Sequence, residues 1–355
     1  MNPTDLANTR LANQHIAGTK HKSLKMLTGW MGALQAQDYA MAKWALGVRL
    51  PGSTDSDVET ALSNGEILRT HLLRPTWHFV SADDIGWLLA LTAPQIKTRL
   101  KTRHQGLELS EAVFSQSNAL VVKALQGGKH LTRADLITEF GKANIATDEN
   151  RASHLLMWAE LEGIICSGPL KKGLPVYSLL EETVPVRRSL PRDEALSLLA
   201  GKYFTSRGPA TLQDFVWWSG LSVSAAKRAL EMVKADFASE TVAGQTCWFA
   251  PTSSAAGPTG AYLLPAFDEF IISYADRSAS LPPQNFHKAV SNNGIFRPML
   301  VINGQIAGLW KRTIKKDVVS VETEFFEQTD PVSASLVENA CLPFRAFLGK
   351  HPQTK

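Results

Sequence analysis

One pattern constrains this chain more than any other, because it occurs three times: short helical segments followed by a pair of strand-like runs. In its first appearance a helix starts after Ser23 and carries Leu24, Leu27, Met31 and Leu34 on one face. It follows a helical stretch from Asp5 to about Ala17, and a further helix spans roughly Asp55 to Ser63, ending at Asn64-Gly65. Ile67–Thr70 and Thr76–Val80 then flank a Leu-Leu-Arg-Pro turn. β-Branched and aromatic residues around a proline read as a β-hairpin. In the second appearance Thr132 caps a helix that ends near Phe140, and Arg151–Leu161 forms the next helix, stopping at Gly163. Strands at Ile164–Ser167 and Val176–Leu180 then pair across Gly168-Pro169 and Lys171-Lys172-Gly173. In the third, Thr211–Trp218 is a short helix and Ser222 caps Val223–Met232, before strands at Phe237–Val242 and Thr246–Phe249. The repeat lies in the elements, with little residue identity between copies.

Helices followed by a two-stranded wing make a winged helix. The expected fold is therefore mainly α with small β wings, an α+β chain of three tandem winged-helix motifs. Their expected limits are residues 1–105, 106–185 and 186–252, with a β-hairpin-containing C-terminal part at 253–355. In that last part Leu263–Arg277 reads as a strand with a turn. Phe296–Trp310 reads as a hairpin whose Asn303-Gly304 supplies a type I′ turn. A strand at Val318–Val321 and a final helix at Pro331–Leu348 complete it.

Composition removes several function classes. The 355 residues are 44% hydrophobic, enough for a substantial core divided over two or three domains. No run approaches the roughly 20 apolar residues that span a bilayer, and Met-Asn-Pro-Thr-Asp lacks the charged-then-apolar pattern of a signal peptide. Cys166, Cys247 and Cys341 have no metal-ligand spacing and read as reduced thiols of a cytoplasmic protein. The net charge of +4 permits nucleic-acid binding without demanding it. There is no GxGxxG, P-loop, HExxH or serine nucleophile elbow. Gly29 and Gly32 read as allowing close helix packing.

Against this background Leu34-Gln35-Ala36-Gln37-Asp38 stands out. A buried glutamine costs free energy unless its amide is hydrogen-bonded. Residues i and i+2 point apart on a regular helix, so for both amides to serve one site the helix must end or loosen there. The bland alternative is a satisfied polar pair tying a helix end to a neighbouring loop. Asp38 either adds negative potential or caps a helix end.

Taken together, Gln35-Ala36-Gln37, the Arg74-to-Val80 hairpin, Leu263-Leu-Pro-Ala-Phe-Asp-Glu269 and Ala275-Asp-Arg-Ser278 resemble one family. The Gly294-Ile-Phe-Arg-Pro298 to Lys311 hairpin adds to the likeness. The chain, from about residue 5 to 348, is similar to the tandem winged-helix DNA glycosylases of the AlkZ/YcaQ type. That resemblance implies three winged helices around a concave DNA-binding surface, and excision of alkylated bases, with crosslink unhooking in some members. It also implies catalysis by Gln-apolar-Gln or Gln-apolar-Asp, and Gln35-Ala36-Gln37 matches the first form.

Amides fit that chemistry for one class of substrate. An N7- or N3-alkylpurine is already cationic, so its glycosidic bond breaks without strong acid assistance. What remains is to hold a water at C1′ and offer oxygen dipoles to the oxocarbenium-like sugar, which is positioning and electrostatic preorganisation. An amide can accept from water and donate elsewhere. The resulting expectation is a monofunctional glycosylase, monomeric and without metal or cofactor, that acts on duplex DNA carrying alkylated bases. Gln35 and Gln37 would be catalytic, with Gln37 holding the water. Arg69, His71, Arg74 and His78 on the first hairpin, Arg99 and Arg103 in the basic run Lys97–His104, and Lys311 and Arg312 are the expected DNA contacts. Trp77 and Tyr39 are candidate pocket walls. Two alternatives stay open: a non-catalytic winged-helix DNA binder, and a metal-dependent nuclease using Asp268, Glu269 and Asp276. Structural ion pairs with Arg277 and Arg297 are the preferred reading of those acids.

Overall fold

The computed structural model describes residues 1–18, 21–171, 173–251, 260–328 and 331–352. The expected boundary at 252/253 and Lys172 of the second wing fall outside them. In chain order the elements are α1 (Pro3–Asn13), α2 (Leu24–Met31), β1 (Leu34–Gln35), α3 (Tyr39–Gly47), α4 (Asp55–Ser63), β2 (Ile67–Leu72) and β3 (Thr76–Ser81). Then come α5 (Ile85–Gly106), α6 (Glu111–Leu125), β4 (Leu131–Thr132), α7 (Arg133–Lys142), α8 (Arg151–Leu161), β5 (Ile165–Ser167), β6 (Val176–Leu179) and α9 (Leu180–Thr183). These are followed by α10 (Arg192–Arg207), α11 (Leu212–Ser219), α12 (Val223–Val233), β7 (Ala238–Val242) and β8 (Gln245–Phe249). The last third holds β9 (Ala261–Leu264), α13 (Glu269–Ile272), α14 (Phe286–Ala289), β10 (Met299–Ile302), β11 (Gln305–Lys315), β12 (Val318–Phe325), α15 (Pro331–Leu348) and β13 (His351–Pro352). The fold is α+β. Two compact units divide it: Glu59–Ala195, and Met1–Val58 with Leu196–Lys355. The divisions fall inside α4 and α10.

Within Glu59–Ala195 the second repeat is complete. Thr132 accepts the Asp135 N–H while Asp135 accepts the Thr132 N–H, and this reciprocal cap starts α7. Its sheet has the order β4-β6-β5, with Ile165 opposite Leu179 and Leu131 opposite Tyr177. Helix, strand, two helices and two strands follow one another here, the order expected of a winged helix. Phe114, Leu136, Phe140, Leu155 and Leu156 fill its core, where Phe114 stacks on Trp158 with centroids 4.1 Å apart. β2 and β3 pair as the expected hairpin, with Arg69 opposite Phe79 and His71 opposite Trp77.

The discontinuous unit carries the third repeat. Thr211 and Asp214 cap α11 reciprocally, Ser222 caps α12, and β7 pairs with β8. The first strand of this repeat is reduced to a bridge between Ala210 and Trp248. Beyond it lies the sheet β13-β12-β11-β10-β9. Asn303 (φ 49°) and Gly304 (φ 81°) join β10 to β11, the pair of positive φ values that a type I′ turn needs. α15 covers the sheet side of α3, setting Phe344 and Phe347 against Trp44 at 5.1 and 5.3 Å.

Several expectations are corrected. α3 follows Asp38, a helix missed in the sequence because the polar run before it reads as the end of α2. The strand from Leu263 stops at Leu264 and is followed by a helix, since Asp268 accepts the Phe270 N–H and caps α13. β11 runs on to Lys315, so Lys311 and Arg312 lie in a strand, not after a hairpin.

Candidate functional site

Gln35 lies on a two-residue strand, not on a helix end. α2 stops at Met31, and the chain reverses at Gly32 (φ 70°, ψ −56°) with the Ala33 N–H donating to the Met31 carbonyl at 2.8 Å. Those angles with that i→i+2 bond define the positive-φ γ-turn, a rare and strained form. Glycine adopts it without the Cβ penalty. Gly32 therefore serves the turn, not helix packing. The expected loosening of the helix is real and happens three residues before Gln35.

The straightened segment is then fastened by a buried ion pair. One oxygen of Glu269 accepts the Gln35 backbone N–H at 2.8 Å. The other accepts from Arg207 Nη2 at 2.7 Å, Ser273 Oγ at 2.6 Å and Trp218 Nε1 at 2.9 Å. Arg207 also donates to the backbone, from Nη1 to the Met31 carbonyl and from Nη2 to the Ala33 carbonyl, both at 2.7 Å. Burial pushes the Glu269 carboxyl up, but the Arg207 charge, the bonds from Ser273 and Arg207 and the Gln35 N–H outweigh it, bringing it down to about 2. Glu269 is thus an anion held in place by donors.

Gln35 is buried and Gln37 is exposed in a bend. Asp38 caps α3 by accepting the Met41 N–H at 3.0 Å. Arg312 senses the charges of Asp38 and Asp55 and reaches the Met41 sulfur. Lys43 bonds Asp55 at 2.8 Å and lies 5.3 Å from the Tyr39 ring centroid. Of the two amides Gln37 is thus the exposed one, and the residue after it is a helix cap.

Two of the acids of the C-terminal part form ion pairs with partners other than the expected Arg277 and Arg297, and Asp276 lies near the charge of Arg277. Asp268 takes both ends of the buried Arg49 at 2.7 and 2.8 Å, and Glu269 takes Arg207. Asp276 turns back on the Ser278 N–H at 2.9 Å. Arg277 directs its guanidinium to the Ile271 and Ala275 carbonyls. Carboxylates neutralised in this way are not a ready cation site. Arg49 and Arg207 escaped the sequence reading. The signal was the apolar run Phe270-Ile271-Ile272 beside Glu269, which required a buried cation from elsewhere.

The first hairpin is packed, not presented. Arg69, His71 and His78 are buried. Arg69 sits 4.3 Å over the Trp77 ring, and His71 meets the buried carboxylate of Glu160, to which Trp77 Nε1 also donates at 3.3 Å. His78 Nδ1 bonds the Thr76 carbonyl at 2.9 Å. These three expected DNA contacts thus lie buried with intramolecular partners, and the half-buried Trp77 packs among them. Arg74 at the turn is half-buried. Arg99 and Arg103 are exposed on α5, and Lys311 is exposed while bonding Glu322 at 2.9 Å across the β11–β12 pair. Cys166, Cys247 and Cys341 are buried free thiols. Among the described residues no helix is long and apolar enough to cross a membrane.

Residues 28–342 match the family described as DNA glycosylase AlkZ-like. A curated relative, the interstrand DNA cross-link repair glycosylase of Streptomyces sahachiroi, is 24% identical, over 93% of this chain and 92% of its own. Among solved structures the chain is similar to the Streptomyces sahachiroi DNA glycosylase AlkZ. There the TM-score is 0.82 at 19% identity, covering 99% of this chain and 98% of that one.

Proposed function

The chain belongs to the AlkZ-like DNA glycosylase family, and we propose that it hydrolyses the N-glycosidic bond of cationic alkylated purines in duplex DNA. The observation that carries this reading is the exposed Gln37 two residues from a Gln35 whose backbone is bound to Glu269. Preorganised amides suit a substrate that already carries the leaving-group charge. Gln37 holds the water that attacks C1′. Gln35 orients that water and turns an oxygen dipole toward the sugar cation. The products are the free base and an abasic site. The same chemistry extends to an interstrand crosslink, the substrate in the curated relative's name, provided the linked purine is cationic.

DNA is held by the exposed cations Arg99, Arg103 and Lys311, with Arg74 and Arg312 contributing from half-buried positions. The protein acts as a monomer with no obligate protein partner, in the cytoplasm, as part of the repair of alkylation damage. The winged helices present it to DNA.

The test is excision from a duplex carrying a single N7-methylguanine, read as abasic-site formation with EDTA present. The parent forms abasic sites, and Gln37→Ala slows this by about 100-fold while still binding the duplex. Gln35→Ala loses excision similarly. A parent that binds tightly but leaves N7-methylguanine, N3-methyladenine and crosslinked duplexes intact would overturn the reading.

A further inference from the structure

We propose that Glu269 and Arg207 are positioning residues for excision: together they fix the backbone of Met31, Ala33 and Gln35, and so set where the two glutamines meet the lesion. The inference rests on the glycosylase reading above and assigns it two residues that touch neither water nor sugar.

The geometry argues for this role over plain core filling. A buried ion pair is a weak stabiliser, since desolvation offsets most of its attraction, and apolar replacements of equal volume are often as stable. This pair does something an apolar pair cannot. It supplies hydrogen bonds to the backbone on both sides of the Gly32 turn: the carbonyls of Met31, at the end of α2, and of Ala33 from Arg207, and the N–H of Gln35 from Glu269. Two side chains from α10 and α13 thereby clamp the end of α2, the turn and the start of β1 together. Both are essentially inaccessible, with side chains 0% and 1% exposed. Arg207 is further tied by Nε to Ser273 Oγ at 3.0 Å, and its own carbonyl accepts the Tyr274 hydroxyl at 2.8 Å. The guanidinium that bonds the Met31 and Ala33 carbonyls is therefore itself held by further partners. Catalysis by neutral amides has no strong base or acid to compensate for misplacement, so it depends unusually heavily on such fixing.

The same oxygen of Met31 closes the γ-turn and receives Arg207 Nη1. The turn that redirects the chain out of α2 and the pair that holds it are coupled through that atom. Displacing Glu269 would release Gln35 directly and the turn through Arg207.

The experiment uses the full chain with Glu269→Gln and Ser273→Ala. Three quantities are read: the single-turnover excision rate on an N7-methylguanine duplex at saturating protein, affinity for a duplex carrying a tetrahydrofuran abasic analogue, and hydrogen exchange of the Gln35 amide. Glu269→Gln keeps the shape but loses the charge that orders Arg207. It is expected to slow excision by about 100-fold, the scale of a small misplacement of reacting groups, with affinity within about threefold of the parent. Gln35 amide protection falls while that of Leu46 in α3 stays. Ser273→Ala removes one donor and leaves the charge, so it slows excision by about tenfold. If Glu269→Gln fails to fold, Ser273→Ala carries the test, and its excising at the parent's rate overturns the proposal. Near-parental excision by a folded Glu269→Gln does the same. A loss of rate matched by an equal loss of affinity and of Leu46 protection assigns the pair to general stability and also overturns it. If the parent itself excises none of the lesions, the function reading has failed separately. The Gln35 amide then decides alone whether the pair orders this segment.

Discussion

Asp38 Oδ1 accepts the Met41 N–H at 3.0 Å, so the residue that follows the exposed Gln37 is an N-cap. The cap fixes where α3 begins and thus where the bend holding Gln37 ends. Asp38→Ala is expected to destabilise the protein by about 1 kcal/mol, and Asp38→Asn by only a few tenths, because asparagine caps nearly as well. Thermal unfolding measures both. Excision by Asp38→Asn should stay close to the parent's, since the side chain is needed for its acceptor and not for its charge.

Glu269 imposes a pH dependence on its own unit. Its carboxyl is held at about 2, against an ordinary 4.5. A group lowered in the folded state contributes stability that is present above the unfolded value and lost as pH falls through the folded one. The window therefore runs from pH 4.5 down to about 2, and the linked stability is on the order of 3 kcal/mol. Thermal unfolding of parent and Glu269→Gln from pH 6 to pH 2 checks the sign: the gap between them should narrow on acidification. A constant gap across the range would contradict it.

A histidine pair places an earlier acid transition in the other unit. His104 packs against Phe114 and Trp158 with its Nε2 3.2 Å from His154 Nδ1. Burial, then the neighbouring His154, hold His104 down to about 4, and His154 is lowered as well, chiefly by burial. Neutral imidazole is the form that fits, so residues 59–195 should lose stability as pH falls from 6.5 toward about 4. His104→Phe should flatten that slope. Hydrogen exchange of Phe114 and Leu155 amides across this range reads it locally, and an unchanged slope in the variant would sink the assignment.

How much of this was legible depended on whether the signal was local. Caps and turns were: Ser23, Thr132 and Ser222 each begin the helix that their position announces, and Asn303-Gly304 makes its hairpin turn. Each of those is decided within three residues. The environment of the glutamines was not. Glu269 lies 234 positions from Gln35, and Arg207 lies 176 from Met31. Nothing periodic in the sequence pairs them. The basic residues divided along the same line. Arg69 and His71 alternate on a strand just as surface contacts would, and only the tertiary fold reveals that Trp77 and Glu160 cover them. Arg99 and Arg103, from the basic helical run, are by contrast exposed on α5.

Those two arginines permit a clean electrostatic test. Exposed cations that neutralise phosphates release counterions, and the slope of log affinity against log salt loses about 0.9 per contact removed. Arg99→Ala with Arg103→Ala is expected to weaken binding to undamaged and damaged duplexes alike and to make the slope shallower. Titrations at several salt concentrations measure it. An unchanged slope would assign α5 to a solvated face.

Substitution at Gly32 isolates the contribution of the turn. A Cβ added at Gly32 would lie 3.5 Å from Lys202 Cδ and 3.9 Å from Trp218 Cη2, which is ordinary contact. Space is therefore not the obstacle to Gly32→Ala. The obstacle is φ 70° with ψ −56°, a conformation that costs an L-residue about 1–3 kcal/mol. Gly201 is the matched control, since it sits within α10 and a Cβ added there would meet nothing within 4 Å. Gly201→Ala should gain about 0.5–1 kcal/mol from helix propensity alone. Gly32→Ala should lose stability and slow excision together, because relaxing the turn shifts Met31 and Ala33 away from Arg207. If instead Gly32→Ala is as stable as the parent and excises at its rate, the γ-turn is not what places Gln35.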